Sequence, residues 1–210
     1  LAIARLAAAT CWPAGTPDGQ AEDMQPPVVV GPTVVLRPLV DTDLAARQAF
    51  GWDAAIERCY GEVRAGGPMS DDEAQEWHAD SLRMLADPTC VPWMVDVDGG
   101  LVGVAFLHSL RAQDRKARYA VGFFAPEHLG HGWGREVADL VLDHAFDVLG
   151  LHRVDLRVLA FNERAIRSYE RSGFVVEGRE RDSCLLDGEF YDDVIMGVLA
   201  HERPGHAVDG

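Results

Sequence analysis

The sequence predicts an α/β (α+β) fold, a mixed and mostly antiparallel central sheet with helices on both faces. Three observations support this prediction. Short apolar runs bounded by glycine and proline alternate with helix-length patterns along most of the chain. An Asp98-Gly-Gly step between two apolar runs is a strong hairpin signal, which favours antiparallel pairing. One strand, however, leads through closely spaced glycines into a helix, which adds a strand–helix–strand crossover.

The first elements follow from local signals. Residues 34–39 predict a strand, and Asp41 is expected to cap a helix that continues to about Phe50. Residues 52–69 have no clear periodicity and end in glycines, which favours a mobile loop. The Ser70-Asp-Asp-Glu sequence has capping-box spacing and predicts a helix to about residue 86.

The later elements are predicted in the same way. Asn162 is expected to cap a second motif helix, and Gly173 is expected to end it in a left-handed conformation. A turn at Asp187-Gly is expected to join the last two strands. The strands predicted in this part of the chain are residues 91–97, 101–107, 117–124, 152–158, 174–176 and 194–198.

A glycine turn lies at the centre of the sequence. Gly130, Gly132 and Gly134 alternate directly after an apolar strand and before an apolar periodicity with helical spacing. The free N–H groups of such a turn and the dipole of the helix favour phosphate or another anion. The glycines are too closely spaced for a dinucleotide fingerprint, and no Lys-Ser/Thr pair follows them as in a P-loop. An ordinary flexible turn is the alternative.

A second motif is the segment Asn162-Glu-Arg-Ala-Ile-Arg-Ser-Tyr-Glu-Arg-Ser-Gly-Phe174. Together the two segments resemble the GNAT superfamily of acyl-CoA-dependent N-acyltransferases. There a Gln/Arg-x-x-Gly-x-Gly/Ala turn holds the coenzyme A pyrophosphate, and an Asn-x-x-Ala/Ser-x-x-x-Tyr helix closes the site. Leu129 stands where glutamine or arginine is usual. The sequel Val175-Val-Glu-Gly looks like the branch that acetylates ribosomal-protein N-termini.

The resemblance implies a GNAT fold with a splayed pair of central strands. It implies acetyl-CoA as cofactor and a primary amine, on a protein N-terminus or a small molecule, as acceptor. It also implies a homodimer as one expected assembly. The cofactor-binding positions that match the family are Phe123, Phe124, Ala125, Gly130, His131, Gly132, Trp133, Gly134, Arg135, Asn162, Arg164, Ala165 and Arg171.

Tyr169 is the predicted general acid. It lies seven residues after Asn162, so both side chains can face one side of a helix. In the family this tyrosine lies near the coenzyme sulfur and can protonate the departing thiolate. A packed aromatic ring at Tyr169, a purely capping role for Asn162, and ordinary surface arginines are the alternatives.

The general base is less clear from the sequence. Ala120 stands where many relatives carry a glutamate, so no carboxylate is available there. Glu177 matches a glutamate suggested as base in the ribosomal branch, and a solvated charge at a strand end is the alternative. His108, His128 and His131 are further candidates because imidazoles titrate near neutral pH.

Composition restricts the partners. Thirty-four acidic residues against 19 lysines and arginines give a net charge of −15, which argues against nucleic acid and anionic membranes. The same charge mildly favours a cationic acceptor, although solubility alone would account for it. Four scattered cysteines without a Cys-x-x-Cys pair predict no metal site and fit a reducing, cytoplasmic location. No apolar run reaches membrane-spanning length.

The organisation that we expect is a flexible extension over residues 1–32, an acyltransferase domain over residues 33–201 and a tail over residues 202–210. The expected function is transfer of an acetyl or short acyl group from coenzyme A to a primary amine. A succinyl-type donor is one alternative, although no cation is assigned to bind its carboxylate. A non-catalytic acyl-CoA sensor is the other, because Ala120 and Leu129 depart from the family pattern.

Overall fold

The computed structural model describes residues 26–203, which form one eight-stranded sheet with helices on both faces. The strands are β1 (Val29–Val30), β2 (Val34–Arg37), β3 (Val91–Val97), β4 (Gly100–Arg111), β5 (Lys116–Phe123), β6 (Arg153–Leu159), β7 (Val175–Leu186) and β8 (Glu189–Leu199). The helices are α1 (Asp43–Phe50), α2 (Ala54–Cys59), α3 (Asp71–Leu85), α4 (Trp133–Asp143) and α5 (Glu163–Arg171). A π-helical turn, His144–Val148, extends α4.

The sheet order is β1-β2-β3-β4-β5-β6-β8-β7. All neighbouring pairs are antiparallel except β5 and β6, which are parallel. The segment from β5 through α4 to β6 is therefore the crossover that the glycine turn indicated. The predicted mixed, mostly antiparallel sheet is confirmed.

The predicted N-terminal extension lies only partly within the described residues. Residues 1–25 and 204–210 lie outside them. Val29–Val30, which the sequence assigned to the extension, pairs with β2 and adds an edge strand to the sheet. The domain boundaries at residues 32 and 201 stay predictions.

The predicted cap at Asp41 is wrong. Helix α1 begins at Asp43, whose buried carboxylate accepts the N–H of Val40 at 2.8 Å. The same carboxylate binds both terminal nitrogens of Arg37 at 2.7 and 2.8 Å, and Asp96 on β3 binds the guanidinium Nε at 2.6 Å. The hydrogen bonds that Arg37 donates to Asp43 raise the pKa of Arg37, against the opposing effect of burial. A tertiary ion pair therefore fixes the start of α1.

The prediction of a mobile loop over residues 52–69 is also wrong. Asp53 caps helix α2 by accepting two of its first N–H groups at 3.0 and 2.9 Å. Trp52 and Gly67 exchange backbone hydrogen bonds of 2.7 and 2.9 Å, which close the segment into a compact unit. Six helical residues are too few to show a periodicity in the sequence, so the helix was not predicted.

Other local predictions are confirmed. Ser70 and Glu73 form the capping box of α3, the longest described helix at 15 residues. Asp98 and Gly99 have positive φ values of 52° and 78°, which suit the tight turn between β3 and β4. Gly173, with φ of 94°, follows α5. Within residues 26–203 no helix is long and apolar enough to cross a membrane.

Two apolar cores lie on opposite faces of the sheet. On one face α4 and α5 cover a cluster that includes Tyr119 on β5 and Leu156 on β6. On the other face α1 and α3 cover a cluster that includes Ala120 and Phe106. Successive residues of β5 therefore serve different cores, as the alternation of a strand requires.

The central opening of the sheet comes from β5 and β6. They pair in parallel only at Lys116–Arg153, Ala117–Val154 and Arg118–Asp155. Beyond this point β5 continues to Phe123 and β6 continues to Leu159 without pairing to each other. The two strands diverge and leave a gap in the sheet, as the resemblance predicted.

Asp43→Asn should destabilise the fold by about 3 kcal/mol, because it removes the charge of a buried carboxylate and leaves the half-buried Arg37 guanidinium with one carboxylate fewer. The free energy of unfolding measured by urea titration tests this expectation. Asp41→Asn, an exposed control on the same connection, should change it by less than about 0.5 kcal/mol. Equal effects of the two substitutions would contradict the assignment of the helix start to Asp43.

Candidate active site

The glycine turn reaches helix α4 through two left-handed residues. Gly130 and Gly132 have φ values of 88° and 87°, which side chains other than hydrogen adopt at a cost. A Cβ added at either glycine would have no atom within 4 Å. Glycine is therefore favoured here by the left-handed backbone conformation and not by a lack of space for a side chain. Gly132 is the N-cap of α4, and no side chain caps that end. The first N–H groups of α4 therefore remain available to an external acceptor.

A first cleft of about 350 Å³ opens at this helix end. It is bounded by the glycine turn, α4, α5, the end of β5 and α2. Its lining residues are Ile56, Cys59, Tyr60, Val121, Phe123, His128, Leu129, Gly130, Gly132, Trp133, Gly134, Arg135, Asn162, Arg164, Ala165, Ser168, Tyr169 and Arg171. The cleft combines unpaired helix N–H groups with three arginines, a donor set that suits a phosphorylated ligand.

Most of the predicted cofactor positions meet in the first cleft, and three do not. Phe124 is buried in the core beneath α1 and α3, where its ring packs against Phe50 and Trp77. Ala125 is buried and His131 stacks on Trp133, and neither lines the cleft. The motif spacing does not reveal that the side chain of His131 lies against Trp133 and outside the cleft.

A second cleft of about 330 Å³ lies on the other side of the gap. Its lining residues are Cys59, Tyr60, Gly61, His108, Arg118, Tyr119, Ala120, Val121, Arg157, Val158, Leu159, Asn162, Tyr169, Ser183, Cys184 and Asp193. The residues common to both clefts are Cys59, Tyr60, Val121, Asn162 and Tyr169. The two clefts therefore meet where β5 and β6 diverge, and a group held in one can reach a group held in the other.

The edge of β5 offers backbone donors to this meeting point. Backbone groups along a strand point alternately toward its two neighbours. The N–H of Phe124 donates to Val102 on β4 at 3.1 Å. Alternation therefore directs the N–H groups of Val121 and Phe123 toward the gap, where β6 no longer pairs with them.

Tyr60, directly after α2, covers one of these donors. Its hydroxyl oxygen accepts the N–H of Phe123 at 2.7 Å and donates to the Phe123 carbonyl at 3.3 Å. Burial raises the pKa of the Tyr60 phenol. Tyr60 could not be predicted from the sequence, because it belongs to a segment without a motif and only the fold brings it to β5.

Tyr169 and Asn162 lie together at the junction of the clefts. The Tyr169 ring packs edge-on against Tyr119 and Phe174, with centroids 6.1 and 5.9 Å apart. Burial raises the pKa of Tyr169 to about 12, so its hydroxyl is protonated at neutral pH. The side chain of Asn162 accepts the N–H of Ala165 at 3.2 Å and caps α5, as predicted.

The structure does not bring Glu177 to this junction. Both of its carboxylate oxygens are bound by Arg153 at 2.5 Å, and this pairing lowers the pKa of Glu177. Glu177 lines neither cleft. A carboxylate already bound by arginine, with a lowered pKa, is a poor proton acceptor.

The three histidine candidates have different surroundings. His108 is buried and lines the second cleft, and its Nε2 atom has no hydrogen-bond partner among residues 26–203. Burial lowers the pKa of His108 to about 4, and nearby Arg118 acts in the same direction. His128 lines the first cleft, with Nδ1 3.1 Å from the Val102 carbonyl. His131 binds the Glu127 carbonyl within the turn.

Comparison with known proteins agrees with this architecture. A family model described as an acetyltransferase (GNAT) domain matches residues 33–175. Spermidine N(1)-acetyltransferase of Escherichia coli K12 is 28% identical over 172 residues, which cover 81% of this chain and 88% of that protein. The putative ribosomal N-acetyltransferase YdaF of Bacillus subtilis is 32% identical over 143 residues, covering 67% and 77% respectively.

A solved structure is also similar. Spermidine N-acetyltransferase from Vibrio cholerae, in a complex with CoA and spermine, superposes with a TM-score of 0.68 at 27% identity. The match covers 80% of this chain and 96% of that one. The similarity therefore extends over almost the whole of the related enzyme.

Gly132→Ala should weaken coenzyme A binding about tenfold, since a left-handed alanine costs roughly 1–2 kcal/mol and disturbs the start of α4. Calorimetric titration gives the dissociation constant. Gly188→Ala is the matched control, because Gly188 has φ of 84°, equally open surroundings and no contact with either cleft. If the two variants bound coenzyme A equally well, the turn would not be the phosphate site.

Proposed function

Because this chain belongs to the GNAT acetyltransferase family, we propose that it transfers the acetyl group of acetyl-CoA to a primary amine of a small cationic molecule such as a polyamine. The chain is an N-acetyltransferase that uses acetyl-CoA. The observation that carries the choice of acceptor is its similarity, over 81% of its length, to an enzyme named for spermidine. The net charge of −15 also favours a cationic partner.

In this proposal the first cleft binds acetyl-CoA. The N–H groups at the start of α4 and the side chains of Arg135, Arg164 and Arg171 surround the phosphates. The N–H groups of Val121 and Phe123 face the gap, where they can donate hydrogen bonds to carbonyl oxygens of an extended chain. The bound cofactor supplies an activated acetyl thioester.

The residues at the junction then perform the transfer. A backbone N–H of β5 stabilises the negative charge that develops on the thioester oxygen. Tyr169 keeps its proton at neutral pH and gives it to the departing thiolate. The amine approaches from the second cleft, which meets the first at Tyr169 and Asn162.

Protein N-termini are the second candidate acceptor. This class is favoured by the segment that resembles the ribosomal branch and by 32% identity to a putative ribosomal N-acetyltransferase. Both acceptor classes present a primary amine, so the same junction would serve either one. They differ in the group attached to the amine, which is a flexible cationic chain in a polyamine and a peptide backbone in a protein.

A succinyl donor is the less favoured alternative. Its terminal carboxylate would need a free cation beside the acyl group. Arg118 and Arg157 line the second cleft, but they are bound to Asp155 at 2.8 Å and to Glu180 at 2.5 Å. We expect acetyl-CoA to be used at least about tenfold more efficiently than succinyl-CoA in a thiol-release assay.

The acceptor is tested by measuring acetyl transfer to spermidine, a neutral-chain primary amine, an amino acid and a peptide with a free N-terminus. We expect spermidine to give the highest kcat/KM, because the acidic protein attracts its cationic chain. Raising the ionic strength should reduce this preference. Transfer to the peptide alone would favour the ribosomal-type acceptor and reject the proposal.

Tyr169→Phe should lower kcat about 100-fold, because the thiolate loses its proton donor, while the affinity for coenzyme A stays nearly constant. Steady-state kinetics and calorimetry measure the two quantities. Tyr191→Phe removes a hydroxyl from the β8 hairpin, outside both clefts, and serves as the control. An unchanged kcat in Tyr169→Phe would remove this residue from the mechanism.

A further inference from the structure

The charged residues of the second cleft are mostly neutralised in pairs. On the face of the sheet beneath this cleft, Arg118 binds Asp155 at 2.8 Å, and Arg157 binds Glu180 at 2.5 Å. Each ion pair keeps its two side chains in place on the sheet. Because the two charges of a pair are opposite, the pairs contribute little net charge to the cleft. A ligand that carries one charge therefore responds mainly to whatever carboxylate or cation is left without a partner.

Asp193 is that carboxylate. It lies on β8, lines the second cleft and is half-buried, and among residues 26–203 it has no ion-pair partner within 4.0 Å. It lies opposite Leu159 on β6 and Glu180 on β7. Asn162 and Tyr169, which lie at the junction, line the same cleft as Asp193.

The groups around Asp193 set its proton affinity. Burial is the largest influence and raises the pKa of the Asp193 carboxyl, while the hydroxyl of Ser183 and the charge of Arg157 lower it. Glu180 and Asp192 raise it further. The other titratable or charged groups facing the cleft are Cys59, Tyr60, His108, Arg118, Tyr119, Tyr169 and Cys184.

We propose that Asp193 binds the ammonium group of the acceptor and takes its proton, so that it is the general base of this acetyl transfer. The proposal rests on the function proposed above. An unpaired carboxylate in a partly enclosed cleft attracts a cationic amine and accepts a proton from it. Burial lowers the pKa of His108 to about 4, so this imidazole is uncharged at neutral pH and offers no charge to attract an ammonium group.

The proton balance is complete. The acceptor enters as an ammonium ion and gives one proton to the Asp193 carboxylate. Its nitrogen lone pair forms the C–N bond as the C–S bond breaks, and Tyr169 gives its proton to the thiolate sulfur. The second nitrogen proton restores the Tyr169 hydroxyl. Asp193 then releases its proton to water, which leaves an amide, a thiol and one free proton.

Asp193→Asn tests the proposal in the whole 210-residue chain, with spermidine as acceptor. We expect kcat/KM for spermidine to fall about 100-fold, while the dissociation constant for coenzyme A changes less than about twofold. In the unmodified protein, kcat/KM should fall as pH drops through the raised pKa of Asp193, because protonation removes both the charge and the base. This acidic limb should disappear in Asp193→Asn and persist in Asp193→Glu.

Asp192→Asn is the matched control. It removes the same charge from the adjacent residue, but Asp192 binds Arg179 at 3.0 Å and lines neither cleft. It should keep kcat/KM at neutral pH and keep an acidic limb, which moves to slightly lower pH because one of the charges that raise the pKa of Asp193 is removed. An Asp193→Asn protein that also keeps both, or a His108→Gln protein that loses the limb instead, would overturn the proposal.

The same experiment separates this proposal from the proposed function. Suppose that the unmodified protein acetylates only the peptide N-terminus and Asp193→Asn still removes the acidic limb. The polyamine acceptor would then be rejected and the role of Asp193 retained. Suppose instead that the unmodified protein and Asp193→Asn acetylate spermidine equally well. The polyamine function would then stand, and Asp193 would not be its base.

Discussion

The short parallel pairing of β5 with β6 is the constraint on which the site depends. Three residue pairs hold the strands together, and beyond them each strand pairs with another strand only on its outer side. An unpaired strand edge inside a sheet is costly unless something else binds it. The fold therefore creates, without any special side chain, a row of backbone donors in the middle of the protein. Both clefts exist because these strands diverge.

Because the opening separates the first cleft from the second, the two clefts offer different groups to a ligand. On one side lie the N-terminus of α4 and three arginines, which suit an anionic ligand. On the other side lie paired charges and one unpaired carboxylate, which suit a cationic ligand. The side chains give the whole chain a net charge of −15, which does not attract a polyphosphate. The backbone dipoles at the start of α4 provide a local positive potential, so the chain can bind a polyphosphate there.

Most of the fold could be predicted because its signals are local. The capping box at Ser70, the hairpin at Asp98 and the cap at Asn162 each act within four residues of the chain. The failures have a common cause. The start of α1 depends on an ion pair between Arg37 and Asp43 that also involves a distant strand, and α2 is too short to show a period.

Most of the lining of the first cleft was predictable from the sequence, and most of the lining of the second cleft was not. Sequence motifs located the glycine turn and Tyr169 because those residues are consecutive or lie on one helix. Tyr60 and Asp193 come from segments more than 100 residues apart, and only the topology of the sheet brings them to one cleft. Glu177 matched a motif, yet its strand places it against Arg153.

Before any ligand binds at the gap, the backbone N–H of Phe123 already donates a hydrogen bond to the hydroxyl of Tyr60. A ligand oxygen that binds this N–H replaces one hydrogen bond with another, and the number of hydrogen bonds on the strand does not change. Such an exchange adds little to affinity. It does exclude ligands that have no acceptor atom at this position, because they would have to break the bond without replacing it. Tyr60 thus favours ligands that have an acceptor atom at this position, but it does not strengthen their binding.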